Sequence, residues 1–438
     1  MPYLQQLVFL VVLSAAGYFI RKRVLRIKGN IRLGKANAIT DHKGERLKNV
    51  LLVSFGQRKM FKRLIPATFH FFIYAGFLII NLEVLEFIID GLSGTHRIFA
   101  PYLGGLYNVL MNVFEFLAVA VLVACVAFLV RRNVLRVPRF WSAEMTRWPR
   151  LDGNIILTIE IVLMCAILAM NASDQILQMR NDHYTPTGHL FFSSFLTPAL
   201  LNVDTSLLVL IERFAWWFHI IGILGFSVYI TYSKHLHIFM AFLNTYYARL
   251  EPKGHINNMP VVTREVKSML GLAVADAVAP AEPGRFGAKD INDLTWNNLM
   301  AAYACTECGR CTSECPANLT GKKLSPRKIM MDVRDRMEEV GNSLEKGGAG
   351  LNDGKTLLGN YITKEEINAC TSCNACVEAC PVMINPLEII LEVRRYVSME
   401  ESGAPAQWNA MFQNIETSFA PWKFSPADRF NWAKEIKK

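Results

Sequence analysis

The sequence predicts an all-helical protein in two parts, a membrane bundle of five helices followed by a small helical domain organised by cysteines. Two observations predict it. Five apolar stretches, at about 4–20, 66–90, 107–130, 155–172 and 206–232, each come near the roughly 20 residues a helix needs to cross the hydrocarbon core. Eight of the ten cysteines then fall in two compact groups behind the last stretch. A content of 52% hydrophobic residues over 438 is high for a purely soluble chain, and the length leaves room for two or three domains. The first and fourth stretches are short and need polar flanks or tilt.

Lys and Arg outnumber Asp and Glu by 47 to 37, yet the excess sits beside the apolar runs, so it reports topology rather than nucleic-acid binding. Residues 21–63 hold 14 Lys or Arg and residues 131–154 hold six, whereas the loops 91–106 and 173–205 hold one each, Arg97 and Arg180. The basic loops are expected inside. Five spans then place the N-terminus outside and everything after about residue 233 in the cytoplasm, in an inner (cytoplasmic) membrane and in contact with its lipid. A cleaved signal peptide is the alternative for the first span, but no Lys or Arg precedes its apolar run.

Behind the spans, residues 268–290 are rich in Ala, Pro and Gly and read as linker. SPRKIMMDVRDRMEEVG at 325–341 has helical periodicity with a Ser-Pro start and a Gly stop, and 345–356 is a Gly-rich loop without a phosphate-loop pattern. The final residues, with Trp408, Trp422 and Trp432, read as an irregular tail packed on its own domain or on a partner. The expected division is a membrane domain 1–240, a linker 241–290, a cysteine domain 291–400 and a tail 401–438.

Cys125 and Cys165 lie in apolar runs and read as packing residues. The other eight form Cys305-x2-Cys308-x2-Cys311-x3-Cys315-Pro316 and its repeat Cys370-x2-Cys373-x2-Cys376-x3-Cys380-Pro381. This is the bacterial ferredoxin pattern, in which three close thiolates grip one [4Fe–4S] cubane and the fourth crosses to the other. One cluster is therefore assigned Cys305, Cys308, Cys311 and Cys380, the second Cys370, Cys373, Cys376 and Cys315. The fold expected is a cytoplasmic α-helical dicluster ferredoxin-like domain. Four thiolates also suit zinc, but zinc requires only paired Cys-x2-Cys units, not a third cysteine and Cys-Pro twice over.

His70 lies in the second span, in PATFHFFIYAGF; His219 lies in the fifth, with His235 and His237 at its inner end. A lone intramembrane histidine is as readily a hydrogen-bonded helix contact. Several beside a two-cluster carrier point to haem b clamped by imidazoles from two helices. The second span enters from the inner face and the fifth exits there, so His70 and His237 lie at similar depth. His219 stands 18 residues earlier, roughly 27 Å along a continuous helix, and belongs elsewhere.

On these residues the membrane half resembles the haem b gamma subunit of respiratory nitrate reductases and the membrane subunit of heterodisulfide reductases. The resemblance implies His70 with His237 for the inner haem. For a second haem it implies His219 and a histidine ten residues beyond His70, where this chain has Ile80; a five-coordinate haem, His96 as partner, or contact with quinone are the alternatives for His219. The cluster half, above all DLTWNNLMAAYACTECGRCTSECPA, resembles the iron–sulfur subunit of heterodisulfide reductases. Those proteins continue into cysteine-rich CCG domains, whereas no cysteine follows Cys380 here.

The function expected is the membrane electron-transfer subunit of a quinone-linked oxidoreductase complex, joining membrane quinone, haem b and two clusters to a separate cytoplasmic redox subunit that bears the CCG cysteine domains. A redox sensor and a structural anchor are the rivals, and neither explains the histidines. Glu83, Glu86, Glu115, Glu160 and the Glu212–Arg213 pair are costly in lipid and are candidates for proton handling or for interhelical ion pairs.

Overall fold

A computed structural model of the chain describes residues 3–181, 184–272 and 285–436. Among these, 71% are helical and none lies in a strand, so the all-helical expectation holds. Five helices are long and apolar enough to cross a membrane: α1 (Leu4–Ile31), α2 (Leu64–Ser93), α3 (Gly105–Leu129), α4 (Arg147–Arg180) and α5 (Thr205–Ile230). The two stretches expected to be short form helices of 28 and 34 residues. A helix ends where its backbone hydrogen bonds end, not where its apolar run does, and both continue into polar sequence.

Inside the bundle α4 packs on α5, α2 and α4 flank α3, and α1 lies against α2 and α5. Phe9, Phe87, Val121, Leu163, Trp216 and Ile220 are buried between them. Gly76 lets Val121 approach α2, and Gly222 lets Leu163 approach α5. Leu7, Val11, Phe214 and Ile221 face outward, as an apolar lipid-facing surface requires.

The fifth span differs from expectation. It ends at Ile230; a tight turn Lys234–Leu236 follows, in which the Ser233 hydroxyl accepts the His235 N–H at 3.0 Å, and His237 opens a separate helix, α6 (His237–Tyr246). His219 and His237 are thus not on one continuous helix. The boundary expected at residue 240 also falls inside α6, which packs against the cysteine domain through α7 (Trp296–Ala304). Part of the expected linker forms a helix, Pro260–Met269, and its 273–284 portion lies outside the described residues.

The basic half of α1 runs beyond its apolar stretch and clamps the cysteine domain. Arg23 forks onto Glu338 at 2.7 and 2.9 Å and donates to the Thr231 carbonyl at 3.1 Å. Asn30 donates to the Tyr303 hydroxyl at 2.8 Å, and beyond the helix Lys35 exchanges backbone hydrogen bonds with Leu294 and Trp296. Glu338 lies on α8 (Pro326–Glu345), whose first turn is capped by Ser325. Gly341, expected to stop that helix, lies inside it instead; a side chain there would collide with Asn30, so the glycine serves close approach.

Leu299, Ile329, Val333, Met337, Ile362 and Ile390 form the core of the cysteine domain, with Ile390 on α9 (Pro386–Met399). Arg336, fully buried on α8, donates to Asp290 at 2.9 Å, Asp353 at 2.6 Å and the Lys355 carbonyl at 2.8 Å. The tail is not irregular: it carries α10 (Ala406–Ser418), none of whose residues is buried, and Trp408, Trp422 and Trp432 are exposed.

Removing Arg336 strands buried Asp290 without a counter-charge, which costs about 3–5 kcal/mol. Arg336→Ala should therefore lower the temperature at which visible cluster absorbance is lost on heating, and an unchanged profile would contradict the account. Arg336 also holds the Asp353 carboxyl down at about 2. That contribution is complete above the ordinary Asp value of about 3.9 and lost as pH falls toward 2.

Candidate redox centres

The two cysteine motifs have one backbone plan. Glu307 and Gly309 in the first, and Ser372 and Asn374 at the same positions in the second, all adopt left-handed conformations, with φ of 55°, 70°, 56° and 62°. That alternation curls the loop around a centre. The Ser372 N–H lies 3.4 Å from Cys370 Sγ and the Ile384 N–H 3.3 Å from Cys380 Sγ, so backbone donors point at sulfur. A short helix follows each loop, Arg310–Ser313 and Ala375–Ala379.

Cys305, Cys308, Cys311 and Cys380 line one cavity, together with Arg310, Met330 and Ile384. The fourth thiol comes from the other motif, in the crossed arrangement. Cys315 in turn lies within electrostatic reach of Cys370 and Cys376, each of which also feels Cys373. Burial pushes the Cys305 thiol up to about 12 and Cys380 up to about 11. Among the described residues no group of three His, Cys, Asp or Glu could hold a single metal ion. Four cysteines converging on one cavity from both motifs are the donor set a cubane takes.

Cations gather around both sets. Arg334 faces Cys305, Lys59 faces Cys380, and Arg394 donates to the carbonyls of Ile367 at 2.8 Å and of Cys370. The membrane half contributes Arg139, which lies beside Cys308 with a buried Nε that has no partner.

The His70 and His237 rings meet at the end of the bundle that carries the basic loops, with centroids 6.5 Å apart and planes inclined by 45°. An iron about 2.0 Å from one nitrogen of each of two imidazoles sets their centres roughly 6.3 Å apart. His237 Nδ1 lies 3.2 Å from the Lys234 carbonyl, which orients the ring and frees Nε2. His70 Nδ1 is buried without a partner. The pair fits a bis-imidazole iron. His235 packs at 5.4 Å from His237 and at 5.5 Å from Phe226.

His219 is buried elsewhere, with Nδ1 3.0 Å from the Leu163 carbonyl and its ring edge-on to Phe87 at 5.7 Å. Among the described residues no second histidine ring packs against it. Ile80 is buried in the apolar cluster that holds Leu163 and Ile220. His96 is held by Asp174 at 3.3 Å and by the Tyr184 ring at 5.0 Å.

Four of the five intramembrane glutamates are engaged. Glu83 and Asp174 each lie 3.3 Å from Arg97, whose guanidinium also donates to Asn171 at 2.6 Å. Glu86 accepts from Tyr107 at 2.7 Å, Glu115 from Asn171 and the Phe192 N–H, and Glu212 pairs with Arg213. Glu160 has no hydrogen-bond or ion-pair partner among the described residues.

Sequence reasoning overlooked Glu307. It lies within the first cysteine loop, is 3% exposed, and pairs with Lys234 and with Arg334 at 2.6 Å. The available signal was a carboxylate between two cluster cysteines where the repeat has Ser372.

Residues 304–384 match the family described as 4Fe-4S dicluster domain. The chain is 27% identical over 458 residues to the probable iron-sulfur-binding oxidoreductase FadF of Bacillus subtilis, covering 98% of this chain and 61% of that protein. It is 27% identical over 430 residues to the EtfAB:quinone oxidoreductase of Syntrophomonas wolfei, covering 90% of this chain and 55% of that protein. A probable membrane-anchored ferredoxin of Chromohalobacter salexigens is 32% identical over 181 residues, covering 38% of this chain and 26% of that protein. The chain thus spans little more than half the length of the first two. No solved structure matches it. It carries a 4Fe-4S dicluster domain behind five apolar helices and is similar to iron–sulfur electron-transfer proteins.

Proposed function

We propose that this chain is the membrane electron-transfer arm of a quinone-linked oxidoreductase, holding one haem b between His70 and His237 and two [4Fe–4S] clusters in the crossed cysteine sets. The observation that carries the reading is the imidazole pair, spaced for one iron, at the end of the bundle where the dicluster domain docks. Bound there, the haem and the cubanes supply one-electron transfer. The chain's own residues orient His237 through the Lys234 carbonyl, surround the thiolates with Arg and Lys, and bury Cys305 and Cys380 of the first cysteine set. The relative named for quinone supports quinone as the membrane substrate. Unpaired Glu160 is the carboxylate we assign to proton exchange with it.

The dicluster domain belongs on the cytoplasmic side, because the docking end of the bundle carries the basic loops. The acceptor or donor there is a separate redox subunit, in line with the resemblance to heterodisulfide reductases, and of the kind that carries CCG cysteine domains. The exposed aromatic residues of the tail are its contact surface. Deleting residues 405–438 should lose that subunit from a gentle detergent purification while haem absorbance stays; retention of the subunit would contradict this role.

The anaerobically purified chain should hold about eight iron atoms as clusters. Cys308→Ser should lose about half of that iron, and zinc in place of iron would refute the cluster assignment. His70→Ala and His237→Ala should each abolish the α-band of a low-spin haem, while His219→Ala spares it. An α-band surviving in both of the first two variants would refute the axial pair.

A further inference from the structure

The two cysteine loops share a backbone but not a chemistry, and the difference separates their roles. At matched positions the first has Glu307 and Arg310, 3% and 5% exposed, and the second has Ser372 and Ala375, both partly exposed. Cys373 of the second loop is exposed, whereas its counterpart Cys308 is partly covered. Folding around a cubane therefore does not require charge in the loop. Glu307 and Ser372 share the same left-handed backbone conformation, so the turn itself does not call for the carboxylate.

Both buried charges of the first loop are used against the membrane half. Glu307 meets the Lys234 ammonium, and Lys234 is a junction. Its carbonyl takes His237 Nδ1 at 3.2 Å, its N–H donates to Asp152 at 3.1 Å, and its Nζ donates to the Pro149 carbonyl at 2.5 Å. Arg310, on the other flank, donates to the Lys59 carbonyl at 3.5 Å and lies near enough to His70 for its charge to act there. The loop Cys305–Cys311 thus straddles the imidazole pair, tied to the His237 side by Glu307 and reaching the His70 side with Arg310.

We propose that the cysteine set 305, 308, 311 and 380 is the membrane-proximal centre, that the set 370, 373, 376 and 315 is the outlet, and that Lys234 and Glu307 are positioning residues locking the first against His237. This rests on the reading of two clusters and a haem given above, and adds their order and the residues that set it. Two hydrogen bonds link the ring of His237, through the carbonyl and then the ammonium of Lys234, to the Glu307 carboxylate in the loop between Cys305 and Cys308. Cluster potentials respond to nearby charge and hydrogen bonds, so the pair leaves a signature that a purely mechanical contact does not.

The test uses the full chain in detergent with haem and iron quantified, and electron paramagnetic resonance to follow a redox titration of each cluster. Cys308→Ser and Cys373→Ser assign which signal belongs to which set. Glu307→Gln removes a negative charge and should raise the potential of the first cluster alone; Lys234→Met should lower it; the double variant should return toward the wild-type value. Ser372→Ala should touch only the second. Equal shifts in both clusters, or a shift confined to the second, would overturn the assignment. In the unaltered chain, oxidised haem should speed the magnetic relaxation of the first cluster more than the second, and the reverse order would overturn it without any variant. Absence of haem would refute the axial pair but not the loop assignment, because the cluster titrations do not depend on haem.

Discussion

A dicluster domain transfers electrons to a membrane partner only if it is held at fixed distance and orientation, and here buried ion pairs between the two halves do the holding. Arg23 with Glu338, Lys234 with Glu307 and Arg327 with Glu144 each join a residue of the bundle or its loops to one of the cysteine domain. Arg327 is fully buried and Lys234 nearly so. Two charges removed from water gain little net stability from each other, but separating them leaves an uncompensated charge in a dry place at a cost of about 3–5 kcal/mol. Such contacts specify one docking geometry more than they add to stability.

The same rule explains why α1 is longer than the membrane requires. Its basic end would be a solvated flank in a simple anchor. Instead it runs on to Ile31, where Asn30 meets Tyr303 in the niche left by Gly341. The opposite end of the bundle solves its own electrostatic problem with Arg97, which faces Glu83, Asp174 and Asn171 where an unpaired carboxylate would be expensive. Glu160 stands apart from that network.

Much of this was legible in the sequence, for physical reasons that can be named. Cysteine ligation is set by short spacings, so both motifs were readable, and Cys305, Cys308, Cys311 and Cys380, expected as one set, line one cavity. The five apolar spans were readable from hydropathy. Helix ends were not, because they are decided by what a helix meets. The fifth span stops at Ile230, before the turn capped by Ser233, and α8 runs through Gly341 because Asn30 from 311 residues away fills the gap. Glu307 was hidden for the same reason, since its partner Lys234 lies in the other half of the chain. His219 remained ambiguous in the sequence, and its burial against Phe87 and the Leu163 carbonyl leaves it without a histidine partner among the described residues.

In the proposed function, electrons pass between the membrane and the dicluster domain by way of the His70–His237 pair. Anaerobic mixing of the purified chain with a soluble quinol, following the haem band and cluster bleaching together, tests it most directly. The account predicts that the haem band responds first and the clusters follow, and that His70→Ala abolishes the cluster response. Cluster reduction at an undiminished rate in the chain lacking haem would contradict it.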